Sequence, residues 1–167
     1  MQGRFGAGAW SVGLLSILFP VPFCHVCTVD MSFGNVQFSP EERARLKEEI
    51  LSHTVKGPED CVSWGGTLKG GYGIWKVRLG DKRTNVRVHR FLFYLESGCQ
   101  ELDQKMHVSH LCHRKNCIKL EHLSLEDNVT NNQRKTCVLE GRCFGHVGYD
   151  YCLGLVCLIE NEQYFQS

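Results

Sequence analysis

The chain has no large charge excess, no internal repeat, no low-complexity tract and, after Met31, no linker. Each absence narrows the field. A net charge of +1 gives the molecule as a whole no pull toward nucleic acid or an anionic membrane, so any such attraction must come from a local patch. Without repeats or a linker, 167 residues read as one domain with enough apolar content for a modest core. A membrane-length apolar run is also missing. The longest, Ala9 to Phe23, is short for a spanning helix and is interrupted by Pro20 and Pro22. Following Arg4 it resembles the apolar stretch of a secretory signal peptide, which would make the protein secreted. The alternative is that residues 1–30 are an upstream extension and that Met31, just before a clean helix start, is the initiator. Cys24 and Cys27 form a CxxC with no second ligand pair nearby, and no function is read from them.

What the chain has in excess is ten cysteines and eight histidines. In a chain too long for a knottin, that density means either disulfides in an oxidising compartment or metal sites in a reducing one. Spacing separates the two. From His107 onward the ligand types run His107, His110, Cys112, His113, Cys117 and His122, then Cys137, Cys143, His146, Cys152 and Cys157. Histidines interleaved among cysteines have no role in a disulfide framework, whereas zinc takes four sulfur or nitrogen ligands tetrahedrally, with short loops keeping ring closure inexpensive. Two structural zinc sites are therefore expected. Cys112, Cys117 and His122 supply three ligands of the first, with Cys61 the best-placed fourth. Cys137, Cys143, His146 and Cys152 make a second complete set, in which Cys157 is a rival to Cys152. His113 is left over.

The expected fold is α+β: a small mixed domain with an antiparallel sheet or hairpin. "SPEERARLKEEILSHT" opens with Ser39 as N-cap, Pro40 at the first helical position and Glu42 three residues on, a capping box leading a charged helix to about His53. After Cys61, β-branched and aromatic residues broken by Gly pairs predict a hairpin or three-stranded sheet around the turn "LGDK". This ribbon carries Lys69, Lys76, Arg78, Lys82, Arg83, Arg87 and Arg90 against one acid, Asp81. A two-stranded ribbon fits the DNA major groove, which makes Lys76, Arg78, Lys82, Arg83 and Arg87 candidate DNA contacts; ordinary solvated surface charge is the alternative. "HRFLFYLESG" predicts a short helix with Phe91, Leu92, Tyr94 and Leu95 inward and Gly98 as its stop.

The run "HVSHLCHRKNCIKLEHLSLEDNVTNNQRKTC" resembles the His-Cys box homing endonucleases, members of the ββα-metal (His-Me finger) nucleases. What matches is "SHLCH", a cysteine five residues after Cys112, "HL" at His122, and Asn-x-x-Arg-x-x-Cys at Asn131, Arg134 and Cys137. The upstream "CVSWGG", "GYG" and "VHR" are similar too, so the likeness covers about residues 61 to 152.

The resemblance implies a metal-dependent DNA endonuclease acting on double-stranded DNA. His110 falls at the family's general base, and Asn131 at its side-chain ligand to a divalent cation, normally magnesium; Asn128 and Asn132 are neighbouring rivals. The family also clamps the scissile phosphate with an arginine from the upstream sheet. Arg78, Arg83 and Arg87 compete for that role, and Arg83 is the choice made from sequence. Two structural zincs would hold His110 and Asn131 in place where few apolar residues are available to do so. The second ligand set is more widely spaced than in the family, and the tail "NEQYFQS" is short for the family's dimer contact, which leaves a homodimer open. A non-catalytic zinc-binding module that contacts DNA or protein is the second reading. Nuclear or cytoplasmic location follows from the expected substrate if residues 1–30 are not a signal peptide, since no basic localisation cluster is evident.

Overall fold

Ser39 starts the first helix as its residue pattern dictates. In the computed structural model, which describes residues 37–97 and 105–157, Ser39 Oγ accepts from Glu42 N–H at 3.2 Å and Glu42 Oε2 accepts from Ser39 N–H at 2.9 Å. Pro40 fills the first turn, where its missing N–H costs nothing, and α1 runs Pro40–Ser52. Only Leu46 and Ile50 on this helix are buried, a narrow stripe that packs on α2 (Val88–Ser97). Arg43 fixes the crossing: its guanidinium donates to the Tyr94 carbonyl at 2.9 Å and lies 4.6 Å from the Tyr94 ring centre. α2 is the centre of the core, with Phe91 and Val88 fully buried and Leu92, Tyr94 and Leu95 nearly so.

Between the helices come two small sheets. β1 (Thr54–Lys56) pairs antiparallel with β2 (Val62–Trp64), and β3 (Leu68–Lys69), β4 (Tyr72–Leu79) and β5 (Lys82–Arg87) form a three-stranded antiparallel sheet. The β4–β5 turn is two residues long, and Gly80, at φ +58°, takes its first position, where a left-handed residue matches the strand twist. Register sorts the side chains. Trp75, Val77 and Leu79 with Val86 face the core, while Ile74, Lys76 and Arg78 share the other face with their partners Arg87, Asn85 and Arg83. Lys82 pairs with Leu79, on the core-facing parity at the hairpin tip, so the ribbon's cationic face carries four of the five expected residues.

The last part is the strand–strand–helix unit that the resemblance implied. β6 (His107–His110) pairs antiparallel with β7 (Leu123–Glu126), His110 opposite Leu123, and α3 (Asn128–Glu140) follows at once. Asp127 caps α3 by accepting from Thr130 N–H at 2.7 Å, and Gly141, at φ +67°, ends it. Two short parallel strands, β8 (Arg142–Cys143) and β9 (Val156–Cys157), close the second ligand loop. The expectations for residues 1–30 (including Cys24 and Cys27), for Met31, for Gly98 as a helix stop and for the tail 158–167 lie outside the described residues. Among the described residues, no helix is long and apolar enough to cross a membrane.

Candidate functional site

The long loop between β6 and β7 returns on itself to place three ligands, and the β1–β2 hairpin brings the fourth. Cys61, Cys112, Cys117 and His122 present ligand atoms all within 4.8 Å of one another. Cys137, Cys143, His146 and Cys152 do the same below α3. The distances can be tested against the metal. Zn–S bonds of about 2.3 Å and Zn–N bonds of about 2.05 Å at a tetrahedral angle give an S···N edge of roughly 3.6 Å. His122 Nδ1 lies 3.6 Å from both Cys61 Sγ and Cys117 Sγ, and His146 Nε2 lies 3.8, 3.5 and 3.3 Å from the sulfurs of Cys137, Cys143 and Cys152. Both sets fit zinc, and all six cysteines are free thiols rather than disulfide partners.

Electrostatics point the same way. A hydrogen bond from the Cys112 thiol takes Cys117 down to about 4, while the same contact pushes Cys112 well above the ordinary thiol range. Three sulfurs this close cannot all ionise unless a cation stands between them. The first set also joins distant parts of the chain. Ser63 bridges to Cys117, Ile118 N–H donates to the Val62 carbonyl at 2.7 Å, and the loops carrying the ligands are tied by the Arg114–Glu59 pair at 2.7 Å and the Lys119–Asp60 pair. Glu59, Asp60 and His113 all take positive φ, conformations that persist when the surroundings over-determine them, as zinc held by the neighbouring Cys61 and Cys112 would. Cys157 pairs through its backbone with Cys143; the second set is complete with Cys152.

The second set is anchored to the sheet through Arg134. This arginine, one turn before Cys137 on α3, is buried, and so is its partner Glu126 at the end of β7. Arg134 Nε donates to both carboxylate oxygens, at 3.0 and 2.7 Å, and Nη1 reaches Cys152 Sγ at 3.7 Å. Nη2 lies 2.7 Å from Oε2 but off the line a hydrogen bond needs, so it adds Coulomb attraction only.

β6, α3 and the loop after Cys112 line a cavity of about 380 Å³. It brings His110 and Asn131 to one space, with Arg87, Lys115, Arg134 and Lys135 around it and, among the described residues, no acidic side chain in its lining. His110 ends β6 and holds its ring by Nε2, 3.0 Å from the Cys117 carbonyl. A carbonyl only accepts, so Nε2 carries the proton and Nδ1 keeps a free lone pair. Burial lowers the His110 pKa to about 4, which leaves the ring neutral at physiological pH. Asn131 lies in the first turn of α3, and its Oδ1 accepts from Ser109 Oγ at 3.0 Å.

Sequence reasoning chose Arg83 for the phosphate clamp, and the structure does not bring it to this cavity. Arg83 lines a separate groove with Arg45, Lys76 and Arg78, whereas Arg87, four residues along the strand and so roughly 13 Å away, lines the cavity itself. The choice depended on where the hairpin docks. Arg87 stacks 4.7 Å from the Tyr72 ring centre, and Lys115 approaches the same ring at 5.5 Å. Arg87 was among the candidates read from the sequence, whereas Tyr72, Ser109 and His89, which line the same cavity, were not. His89 is buried with its ring centre 4.5 Å from that of His110, and burial drives its pKa down to about 2. Its only sequence signal was the "VHR" triplet.

No curated protein and no solved structure matches this chain. A sequence model described as the zinc-binding loop region of homing endonuclease does, over residues 68–157, which is more than half the chain and holds seven of the eight ligands just described, all but Cys61. The protein therefore belongs to the His-Cys box homing endonuclease family, with a His-Me finger fold built around two Cys/His sites suited to zinc.

Proposed function

We propose that this protein is a zinc-stabilised DNA endonuclease that hydrolyses phosphodiester bonds with His110 as general base and a divalent cation held by Asn131. The observation that carries this reading is the shared cavity: a neutral imidazole with a free lone pair and an amide side chain open on one space that, among the described residues, is lined by cations and by no acid. The described lining supplies no carboxylate that could ligate a metal, and its cationic side chains attract a phosphate. As a site for a hard cation it offers one amide oxygen, so it fits magnesium when scissile phosphate oxygens and water complete the shell. When bound there, the cation supplies Lewis-acid stabilisation of the leaving oxygen.

The chain's own residues do the rest. His110 Nδ1 takes a proton from the attacking water, and the negative phosphate beside it raises the basicity that burial had lowered. Arg87, placed over the Tyr72 ring, and Lys115 neutralise the phosphate as charge builds on its oxygens. Lys76, Arg78 and Arg83 contact the duplex backbone from the ribbon. Arg78 and Arg83 stand directly opposite each other, a like-charge pair that costs roughly 0.2–1 kcal/mol and is offset when phosphate lies between them. Lys82, on the other parity at the tip, contributes at the edge.

The test is plasmid nicking in magnesium with zinc-loaded parent, His110→Ala and Asn131→Ala, alongside gel-shift binding of the same proteins. Cleavage should fall by about 10²–10⁴-fold in the His110 variant with DNA binding retained. Equal cleavage by parent and His110→Ala would remove this mechanism, and a parent that binds without cleaving would make the protein a DNA-binding module.

A further inference from the structure

The Asn131 side chain has a symmetry problem. Its amide presents an oxygen and an NH₂ group of nearly the same size, and only the oxygen can face a cation. α3 fixes the backbone, since Asn131 N–H donates to the Asp127 carbonyl at 3.1 Å in a helix capped by Asp127, but nothing in the helix fixes the amide torsion. What fixes it is Ser109. Its side chain is buried between β6 and α3, and its hydroxyl donates to Asn131 Oδ1 at 3.0 Å.

We propose that Ser109 is the positioning residue of the cation site: its hydroxyl identifies and holds the oxygen end of Asn131, taking one of the two Oδ1 lone pairs and leaving the other for a divalent cation in the cavity. This rests on the reading of Asn131 as the cation's ligand. The arrangement follows the general rule that a ligand group is oriented by a partner behind it. It also places the base and the ligand under one strand, because Ser109 and His110 are adjacent in β6 and their side chains leave it on opposite faces, one toward α3 and one toward the Cys117 carbonyl. The cost of ordering Asn131 is thus met on folding, before any cation arrives.

The experiment is a manganese titration followed by electron paramagnetic resonance. Zinc-loaded protein in a His110→Ala background is used, so that the duplex DNA present stays uncut. Ser109→Ala should weaken manganese binding by about tenfold, the low end of what loss of an outer-shell partner costs, and Ser109→Thr should restore it. Ser109→Cys keeps the shape but donates weakly and should behave like Ser109→Ala, which covers the case where the alanine variant folds poorly. Unchanged or tighter binding in both Ser109→Ala and Ser109→Cys overturns the proposal, tighter binding meaning that the hydroxyl competes with the cation. Asn131→Ala in the same titration tells the two readings apart: manganese binding lost there but unaltered in the Ser109 variants leaves Asn131 as ligand and removes Ser109. If neither position matters, both fall.

Discussion

Replacing Arg134 by Met should be among the most damaging single changes in the protein, because its charge is engaged with the buried Glu126. Its side chain is 3% exposed and that of Glu126 is 0% exposed, so solvent screening gives no relief to either charge. Removing the guanidinium leaves a carboxylate buried without a cation and deprives Cys152 of an N–H directed at its sulfur. Breaking one half of such a pair costs about 3–5 kcal/mol, against about 0–1 kcal/mol for an exposed pair such as Arg45–Glu49. For a folded unit of this size each kcal/mol moves Tm by roughly 3–6 °C, so zinc-loaded Arg134→Met should melt roughly 10–25 °C below the parent. The double variant Arg134→Met, Glu126→Leu removes both charges and should recover most of the loss, leaving a deficit of about 1–2 kcal/mol that reports the contact to Cys152. Calorimetry or denaturant unfolding measures all three. A single variant costing less than about 1 kcal/mol, or a double variant worse than the single by more than that, would refute the assignment of the pair as a closed buried charge unit.

Three further outcomes are expected. Arg87→Ala should lower cleavage at saturating DNA by about 10²-fold, while Arg83→Ala should leave that rate alone and reduce the salt dependence of binding by about one counterion; the reverse pattern would restore the clamp to Arg83. Cys61→Ser should reduce zinc stoichiometry from two ions to one and abolish the link between the β1–β2 hairpin and the β6–β7 loop, read by metal analysis and by hydrogen exchange at Val62 and Ile118. His89 gives a pH dependence: its folded pKa is about 2, against about 6.5 unfolded, so the unfolded chain binds the extra proton between those values and stability falls as pH drops through that window. The slope contributes up to about 1.4 kcal/mol per pH unit below 6.5, and His89→Leu, with zinc in excess, should lose that part of it; identical slopes in the two proteins would show that His89 is not buried neutral.

Local chemistry made some of this structure legible in the sequence. The capping box at Ser39 and Glu42 involves residues three apart, and the Gly80 turn is set by a two-residue loop, so both are written in short windows. The zinc groups were legible for a different reason, because few side-chain types can hold the metal and their spacing limits the combinations. Cys61 lies far from the other ligands, and it was found only as the spare cysteine. What escaped were pairings made by docking. Whether Arg83 or Arg87 reaches His110 depends on how far the hairpin slides along the β6–β7 unit, and strand parity is the same for both. Ser109 to Asn131, His89 to His110 and Glu126 to Arg134 each join residues on different elements, and no periodicity within one element encodes such a meeting.

The two zinc groups differ in how much chain they enclose, and that sets an order of assembly. Cys137 to Cys152 is one short stretch, whereas Cys61 to His122 closes a loop about four times longer, which costs the unfolded chain roughly 1.2 kcal/mol more to bring together. The C-terminal group can therefore capture its ion early, as a local event that fixes the end of α3 while the rest of the chain is still searching. The other group can form only once the β1–β2 hairpin has reached the β6–β7 loop, and an ion bound there would hold the contact between Val62 and Ile118. Zinc supply during folding, rather than the finished protein's affinity alone, would set how much of the chain reaches the native form.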